Sequence, residues 1–312
     1  MTPIPSSHSL RGTLYDPRYE HDACGVGFVA DIAGRRSHEI VSMAIEALAN
    51  LEHRGGVAAD AGTGDGAGVL TQIPVGFFAR LLGLPPLKHG DLAVGMFFAD
   101  RHLVPDEWQA LVARELKVVG LEALAWRRVP TRLEALGKVA AETRPAIWQV
   151  FILRPEFLDR GDAFEKVLYL ARRAIEAEAL QQQISLYAAS LSSRTIVYKG
   201  LMLGSQLANF YPDLADPEFR SAVAVFHQRY ATNTFPNWKR AQPFRLLAHN
   251  GEINTLDGNV NWMKAREMAL RDDAWGAAIS PIIDPDGSDS AMLDNAVEAL
   301  VRSGRELRHV LM

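Results

Sequence analysis

The sequence comprises 312 residues, of which 48% are hydrophobic and 22% charged, a balance that is ordinary for a globular protein with a sizeable core. Its formal net charge of −4 argues against the basic field that nucleic-acid binding requires. No apolar run reaches the ~18 residues of a membrane-spanning helix, and residues 1–23 lack the apolar core of a signal peptide. We therefore expect a cytoplasmic protein that has neither a membrane nor a nucleic acid as partner.

Strands are predicted where β-branched, aromatic and apolar runs are bounded by Gly, Pro, Asp or Ser. These runs lie at 26–32, 68–74, 92–99, 147–154, 184–192, 195–199, 221–230 and 244–250. Short connections between several of them favour antiparallel pairing, and Ser193 and Arg194 read as the turn of a hairpin. Runs that are apolar on both faces predict sheets covered by helices or by each other.

Helical periodicity predicts the remaining elements. The predicted helices lie at 38–53, 106–117, 163–183, 257–271 and 289–303. Ser37 is the expected N-cap of the first helix, and Asp162 with Glu165 resembles a capping box. The glycine-rich stretch TGDGAG at 63–68 lacks the lysine of a phosphate-binding loop and predicts a tight turn before a strand. The nine histidines show no metal-ligand spacing, so no metal site is expected.

Cys24, in HDACGVGFVAD, is the only cysteine of the sequence and directly precedes the first predicted strand. One cysteine cannot form an intramolecular disulfide or a cysteine-rich metal site. The residue chemistry leaves two interpretations open: a small buried hydrophobic residue, which is the commoner role of a lone cysteine, or a nucleophile.

Five further stretches bear on that choice. They are CGVGFVA at 24–30, LEHRGG at 51–56, FHQRYATNT at 226–234, LLAHNGEINT at 246–255 and GSDSAMLDN at 287–295. Together they resemble the class II, cysteine-type glutamine amidotransferases, which are N-terminal-nucleophile hydrolases. SLSSRTIVYKG at 190–200 and NFYPDL at 209–214 are similar to the amidotransferase domain of glutamate synthase large chains in particular. The resemblance extends from about residue 16 to the last residue.

The resemblance implies an α+β fold, a four-layer αββα sandwich of two antiparallel sheets covered by helices, with Cys24 opening the first strand. It implies that residues 1–23 are a leader whose removal exposes Cys24, and that residues 24–312 form the type 2 amidotransferase domain. The last residues, GRELRHVLM, read as the interior of a helix-to-strand region. We therefore expect the domain to be incomplete at its C-terminus.

The motifs also imply residue roles. Arg229 matches the arginine that binds the substrate α-carboxylate, for which a bidentate guanidinium is suited. Asp289 matches the carboxylate that binds the α-ammonium group. Asn250, through its side-chain amide, and Gly251, through its backbone N–H, match the oxyanion hole.

Three residues complete the implied site. Arg54 matches an arginine near the nucleophile, and Thr232 and Asn233 match the pocket wall. The α-amine of a processed Cys24 would act as the base, because its unperturbed pKa of about 7.7–8.0 suits neutral pH. The implied reaction is hydrolysis of the L-glutamine side-chain amide, with the ammonia used to make glutamate from 2-oxoglutarate at a second site.

That second site is expected outside this sequence. In the family, later domains hold FMN and an iron–sulfur cluster, and a small reductase subunit is a possible partner beside the remainder of the large chain. This sequence has no further cysteine to ligate a cluster, so we expect it to hold no cofactor itself.

Two alternatives remain open. A stand-alone glutaminase-like amidohydrolase would release ammonia to solvent. A truncated fragment or an unprocessed precursor would be non-catalytic, since a leader still attached to Cys24 removes the free amine and is expected to fill the glutamine site.

Overall fold

The structure is a computed structural model that describes residues 25–229, 235–267 and 279–312. Its strands are β1 (Val26–Ala30), β2 (Ala67–Gln72), β3 (Leu92–Ala99), β4 (Ala125–Arg128), β5 (Ala146–Leu153), β6 (Leu186–Ser192), β7 (Thr195–Gly200) and β8 (Val223–Gln228). Its longer helices are α1 (His38–Asn50), α2 (Val75–Leu81), α3 (Pro105–Val118), α5 (Asp162–Gln181), α7 (Leu256–Glu267) and α8 (Asp289–Arg302). The short helices are α4 (Lys138–Thr143), α6 (Leu207–Phe210) and α9 (Leu307–Val310).

The first sheet is antiparallel, with strand order β1-β8-β2-β7. The register pairs His227, near the end of β8, with Val26 on one side and Gly68 on the other. The first residues of β1 and β2 therefore lie beside the last residues of β8, at one end of the strands. The candidate site lies at this end of the sheet.

The second sheet is also antiparallel, with strand order β4-β5-β3-β6. The side chains of its central strand β3 alternate between two hydrophobic clusters, as the period of two in a strand requires. Val94 and Phe98 belong to a cluster that contains residues of both sheets, whereas Phe97 belongs to a cluster with Trp108 of α3 and Phe164 of α5. Both faces of β3 are therefore buried.

Helices cover the outer faces of the two sheets. α1 packs on β1 and β8, with Val41, Ala44 and Leu48 fully buried. Its predicted N-cap is confirmed, because the Ser37 side chain accepts a hydrogen bond from the Ile40 N–H. α3 and α5 pack on the second sheet. These layers confirm the predicted α+β sandwich of two helix-covered antiparallel sheets.

The predicted hairpin around Ser193 and Arg194 is wrong, because β6 and β7 belong to different sheets. The predicted capping box at the start of α5 is wrong for a related reason. The Glu165 carboxylate accepts hydrogen bonds from the Ser192 and Ser193 hydroxyls and from the Ser193 N–H instead of capping the helix. It thereby fixes the crossing of the chain from one sheet to the other.

The strand predicted at 244–250 is also absent, since this described segment is irregular. Its backbone groups bond locally or to side chains instead of to a neighbouring strand. The Phe244 N–H donates to the Leu247 carbonyl, the Leu246 N–H to Asp294 Oδ1, and the His249 N–H to Gln242 Oε1. β4 was not predicted, and the end of the helix expected at 257–271 lies beyond the described residues. None of the described helices is long and apolar enough to cross a membrane.

Candidate active site

Five of the eight predicted site residues belong to the described part of the chain: Arg54, Arg229, Asn250, Gly251 and Asp289. The other three, Cys24, Thr232 and Asn233, lie outside the described residues. The five come from four separate stretches of sequence, so their arrangement depends on the fold.

The start of β1 contacts two of these stretches. The Gln228 N–H, adjacent to Arg229, donates to the Gly25 carbonyl over 2.6 Å. A Cβ built on Gly25 would lie 2.4 Å from the Gln228 carbonyl oxygen and 3.7 Å from Asn250 Oδ1. Gly25 is therefore wedged between the backbone before Arg229 and the side chain of Asn250, and only a residue without a side chain fits there.

Arg54 and Arg229 line one cavity of about 670 Å³. Its wall is formed by the turn at 53–58, by residues 63–65, and by Val139, Leu201, Arg229 and Pro236. Asn250, Gly251 and Asp289 are not among its described lining residues. The structure thus brings the two predicted arginines to a common cavity, and it places the side chain of Asn250, one of the two predicted oxyanion-hole residues, next to Gly25.

Arg229 has an unusual backbone. Its φ of +137° is rare for a residue with a side chain and carries a conformational cost. The Arg229 N–H donates to the Gly66 carbonyl over 2.8 Å, and the Arg229 carbonyl oxygen lies 3.0 Å from His227 Nδ1. Backbone strain of this kind persists only where the surroundings hold it, and such positions cluster in functional sites.

Asp289 is the first residue of α8. Ser288 caps this helix by accepting from the Ala291 N–H, while Asp289 Oδ1 accepts from the Ser290 N–H over 2.6 Å. Asp289 Oδ2 accepts from the Ile253 N–H over 3.3 Å. Asp289 is therefore joined to the loop that carries Asn250 and Gly251.

The sequence analysis missed Asp65, which it assigned to a turn. The turn itself is confirmed, because Gly66 has a φ of +142° directly before β2. Asp65, however, is only 8% exposed and lines the same cavity as the two arginines. Burial raises its pKa, opposed by the Gly56 N–H and the positive charge of Arg229. An acidic residue between two glycines, directly before a buried strand, was the available signal.

His227 was treated as an ordinary histidine, yet it lies between two site segments. Its ring is fully buried, with Nδ1 3.0 Å from the Arg229 carbonyl oxygen and Nε2 3.1 Å from the His249 carbonyl oxygen. Burial lowers its pKa to about 4, although both carbonyl oxygens favour the protonated ring. Its position two residues before the predicted arginine was the only signal in the sequence.

The described ranges contain no group of three or more His, Cys, Asp or Glu side chains arranged to hold a metal ion. The described site offers arginine and aspartate charges, a side-chain amide and backbone N–H groups. Such a site can bind a zwitterionic amino acid and stabilise an oxyanion.

The comparison with protein families agrees with this fold. The family described as "Glutamine amidotransferases class-II" matches residues 24–312, and the chain belongs to this family. The predicted family membership is confirmed, and with it the enzyme class.

Similar proteins identify a narrower group. The chain is 44% identical over 310 residues to "Glutamate synthase (NADPH) large chain" of Bacillus subtilis (strain 168), covering 96% of this chain and 20% of that protein. It is also 44% identical over 303 residues to "Ferredoxin-dependent glutamate synthase, chloroplastic" of Oryza sativa subsp. japonica, covering 94% of this chain and 19% of that protein. The chain spans about a fifth of the length of these curated relatives.

Proposed function

We propose that this chain hydrolyses the side-chain amide of L-glutamine, with Cys24 as an N-terminal nucleophile, and supplies ammonia for glutamate synthesis from 2-oxoglutarate. The observation that carries this proposal is the position of Gly25 between Gln228 and Asn250. Gly25 is covalently bonded to Cys24, so a thiol at residue 24 need reach only a short distance to a substrate held between Arg229 and Asn250.

Substrate binding follows from the charges of the site. The Arg229 guanidinium receives the α-carboxylate of glutamine in bidentate fashion, and Arg54 adds positive charge to the same cavity. Asp289 receives the α-ammonium group. Thr232 and Asn233 form part of the pocket wall. A zwitterion held at both charges presents its side-chain amide to the nucleophile.

The chemistry then proceeds in two stages. The Cys24 thiolate attacks the amide carbon, and the Asn250 amide and the Gly251 N–H stabilise the oxyanion. The C–N bond breaks, and the leaving ammonia takes its proton from the α-ammonium of Cys24. Water, deprotonated by the same amine, attacks the γ-glutamyl thioester; the C–S bond breaks and glutamate leaves. This mechanism requires that residues 1–23 are removed as a leader and that residues 24–312 form the amidotransferase domain.

The similarity to glutamate synthases supports a larger parent enzyme in which the remainder of the large chain and a small reductase subunit are partners. FMN and an iron–sulfur cluster would belong to that remainder, because the single cysteine of this chain cannot ligate a cluster. We propose the cytoplasm as the location, although the rice relative is named as chloroplastic.

The test begins with the intact mass of the purified protein. A mass without residues 1–23 shows that Cys24 is the N-terminus, whereas a mass that retains Met1 or Thr2 identifies a precursor. Glutamine hydrolysis is then measured by ammonia release, with Cys24→Ala as the inactive control. Because Cys24 is the only cysteine, loss of activity on alkylation must coincide with modification of that residue.

Two results would contradict the proposal. A processed protein that does not release ammonia from glutamine would remove the hydrolase function, and a Cys24→Ala variant with full activity would remove the nucleophile. Ammonia release that is unaffected by the remainder of the large chain would favour a stand-alone amidohydrolase.

A further inference from the structure

The side chain of His227 connects two parts of the site that are distant in sequence. Its Nδ1 lies 3.0 Å from the carbonyl oxygen of Arg229, and its Nε2 lies 3.1 Å from the carbonyl oxygen of His249. The residue is completely buried at the end of β8. Solvent cannot replace either contact.

Each of the two carbonyl groups belongs to a segment that carries a predicted site residue. Arg229 has a φ of +137°, and the Arg229 N–H is bonded to the Gly66 carbonyl. The carbonyl of His249 is the backbone group that immediately precedes Asn250. His227 therefore contacts the backbone of the predicted carboxylate-binding residue and the backbone of the predicted oxyanion hole at the same time.

A second buried side chain holds only one of these two segments. Gln242, 1% exposed, accepts from the His249 N–H over 2.8 Å and donates to the His249 carbonyl over 2.9 Å. Gln242 thus binds both the backbone N–H and the backbone carbonyl of His249. His227 differs from Gln242 because it also reaches Arg229.

We propose that His227 is a positioning residue, which holds the Arg229 segment and the Asn250 segment at a fixed separation so that both engage the same glutamine molecule. This inference rests on the proposed glutaminase function. His227 touches no reacting atom in this role; it acts through two backbone carbonyl groups.

The chemistry of the ring suits this role. Both partners are acceptors, so the neutral imidazole donates to one carbonyl and lies against the other. Protonation, which the lowered pKa of the buried ring opposes at neutral pH, would add the second hydrogen bond. The charged or titratable side chains that act on the ring are those of Arg229 and His249. Imidazole is a small, rigid, planar ring, and its two nitrogen atoms point in different directions. One histidine side chain can therefore contact two separate backbone segments at a fixed spacing.

Two substitutions separate the two contacts. An asparagine at position 227 places its amide nitrogen near the position of Nδ1, and a glutamine places its amide nitrogen near the position of Nε2. His227→Asn keeps a donor for the Arg229 carbonyl, so we expect kcat to fall about tenfold while KM changes little. His227→Gln keeps a donor for the His249 carbonyl, so we expect KM to rise about tenfold while kcat changes little.

Gln242→Met is the matched control, because it loosens the His249 segment without touching Arg229. We expect it to lower kcat and leave KM unchanged, as His227→Asn does. Melting temperatures of all three variants show whether each remains folded. If neither His227 variant folds, a Gln242→Met enzyme with a raised KM and an unchanged kcat would contradict the inference.

The outcomes separate this inference from the function on which it rests. An unsubstituted, processed protein without glutamine turnover overturns the proposed function. Turnover in the unsubstituted protein, together with equal changes of KM and kcat in His227→Asn and His227→Gln, overturns the positioning role alone. Variants that both behave like the unsubstituted protein overturn it as well.

Discussion

The Gln228 N–H donates to the Gly25 carbonyl over 2.6 Å, which joins the residue after Cys24 to the residue before Arg229. This bond lies just beyond the last pair of the β1–β8 ladder, in which Val26 pairs with His227. The sheet therefore fixes Gly25, the residue after the predicted nucleophile, beside Gln228, the residue before the predicted carboxylate-binding arginine. A small displacement at Gly25 would change this contact.

Gly25→Ala tests this dependence. A Cβ at position 25 would lie 2.4 Å from the Gln228 carbonyl oxygen, so the backbone of one strand must move. We expect kcat/KM for glutamine to fall by about a hundredfold, the size of effect that a displacement of about 1 Å produces in an active site. Steady-state kinetics measure this.

Gly76→Ala is the control for that substitution. A Cβ at Gly76, in α2, would meet nothing within 4 Å, so activity should be unchanged and stability slightly increased. A Gly25→Ala enzyme with normal kinetics would show that the start of β1 need not be fixed for catalysis.

Asp65→Asn should raise KM for glutamine by about tenfold, because the Asp65 charge acts on Arg229 in the cavity that both residues line, and its loss releases the guanidinium from its position. Glutaramate, which is glutamine without its α-amino group, distinguishes two explanations for the raised KM: an effect through Arg229 and direct binding of the α-ammonium group. If Asp65 acts through Arg229, both compounds lose the same factor in kcat/KM. If Asp65 bound the α-ammonium itself, only glutamine would be affected, and Asp289→Asn provides the pattern expected for that role.

Asp65 also predicts a pH dependence. Burial raises its pKa above the ordinary 3.8, so its negative charge is lost, as pH falls, at a higher pH than that of an exposed aspartate. KM should rise over that range in the unsubstituted protein and not in Asp65→Asn. His53, which also lines the cavity, is controlled by His53→Gln. Identical pH profiles would exclude Asp65 as the titrating group.

The sequence predicts the fold well where a pattern is local. β3 was predicted at its observed bounds, because the uncharged run between Asp91 and Asp100 indicates a strand that is buried on both faces. β6 and β7 were predicted as strands, but their predicted pairing in a hairpin is wrong, because the carboxylate of Glu165, from a distant helix, binds the turn between them. The segment 244–250 was predicted as a strand from its apolar run, but it does not form one, because the side chains of Asp294 and Gln242 bind its backbone N–H groups.

The same distinction applies to the site. Short motifs identified the stretches that carry Arg54, Arg229 and Asn250, whose residue types match a chemistry. The surroundings of Asp65 and His227 are formed by the fold. Asp65 lines a cavity together with two arginines, and the His227 ring contacts two carbonyl groups from separate loops. No local pattern contains that information.

A buried ion pair between α5 and α8 gives a stability prediction. Arg172 Nη2 and Glu298 Oε2 are 2.6 Å apart, and both residues are almost completely buried. Arg172→Met takes this cation away from the buried Glu298 carboxylate, so we expect the free energy of unfolding to fall by about 3–5 kcal/mol. Glu176, the other partner of Arg172, retains Arg173 and Arg245.

The double variant Arg172→Met with Glu298→Gln is the matched control, measured by urea unfolding. Removing both charges should restore most of the lost stability, because the cost arises from the unpaired charge. A double variant that is as unstable as the sum of the two single variants would show that the pair contributes through packing instead.

The last prediction concerns the dependence of stability on pH through His227. Burial lowers the pKa of His227 to about 4 in the folded protein, whereas an unfolded chain takes up this proton near pH 6.5. Between these values the unfolded state binds more protons, so the free energy of unfolding falls as pH falls, by about 3 kcal/mol across the range. Below pH 4 this contribution stays constant, since both states are protonated. His227→Gln lacks the titrating ring, and urea unfolding at intervals from pH 7 to 4 should show a shallower decrease than in the unsubstituted protein. If both proteins lose stability equally over that range, His227 has the same pKa in the folded and the unfolded state, and burial does not lower it.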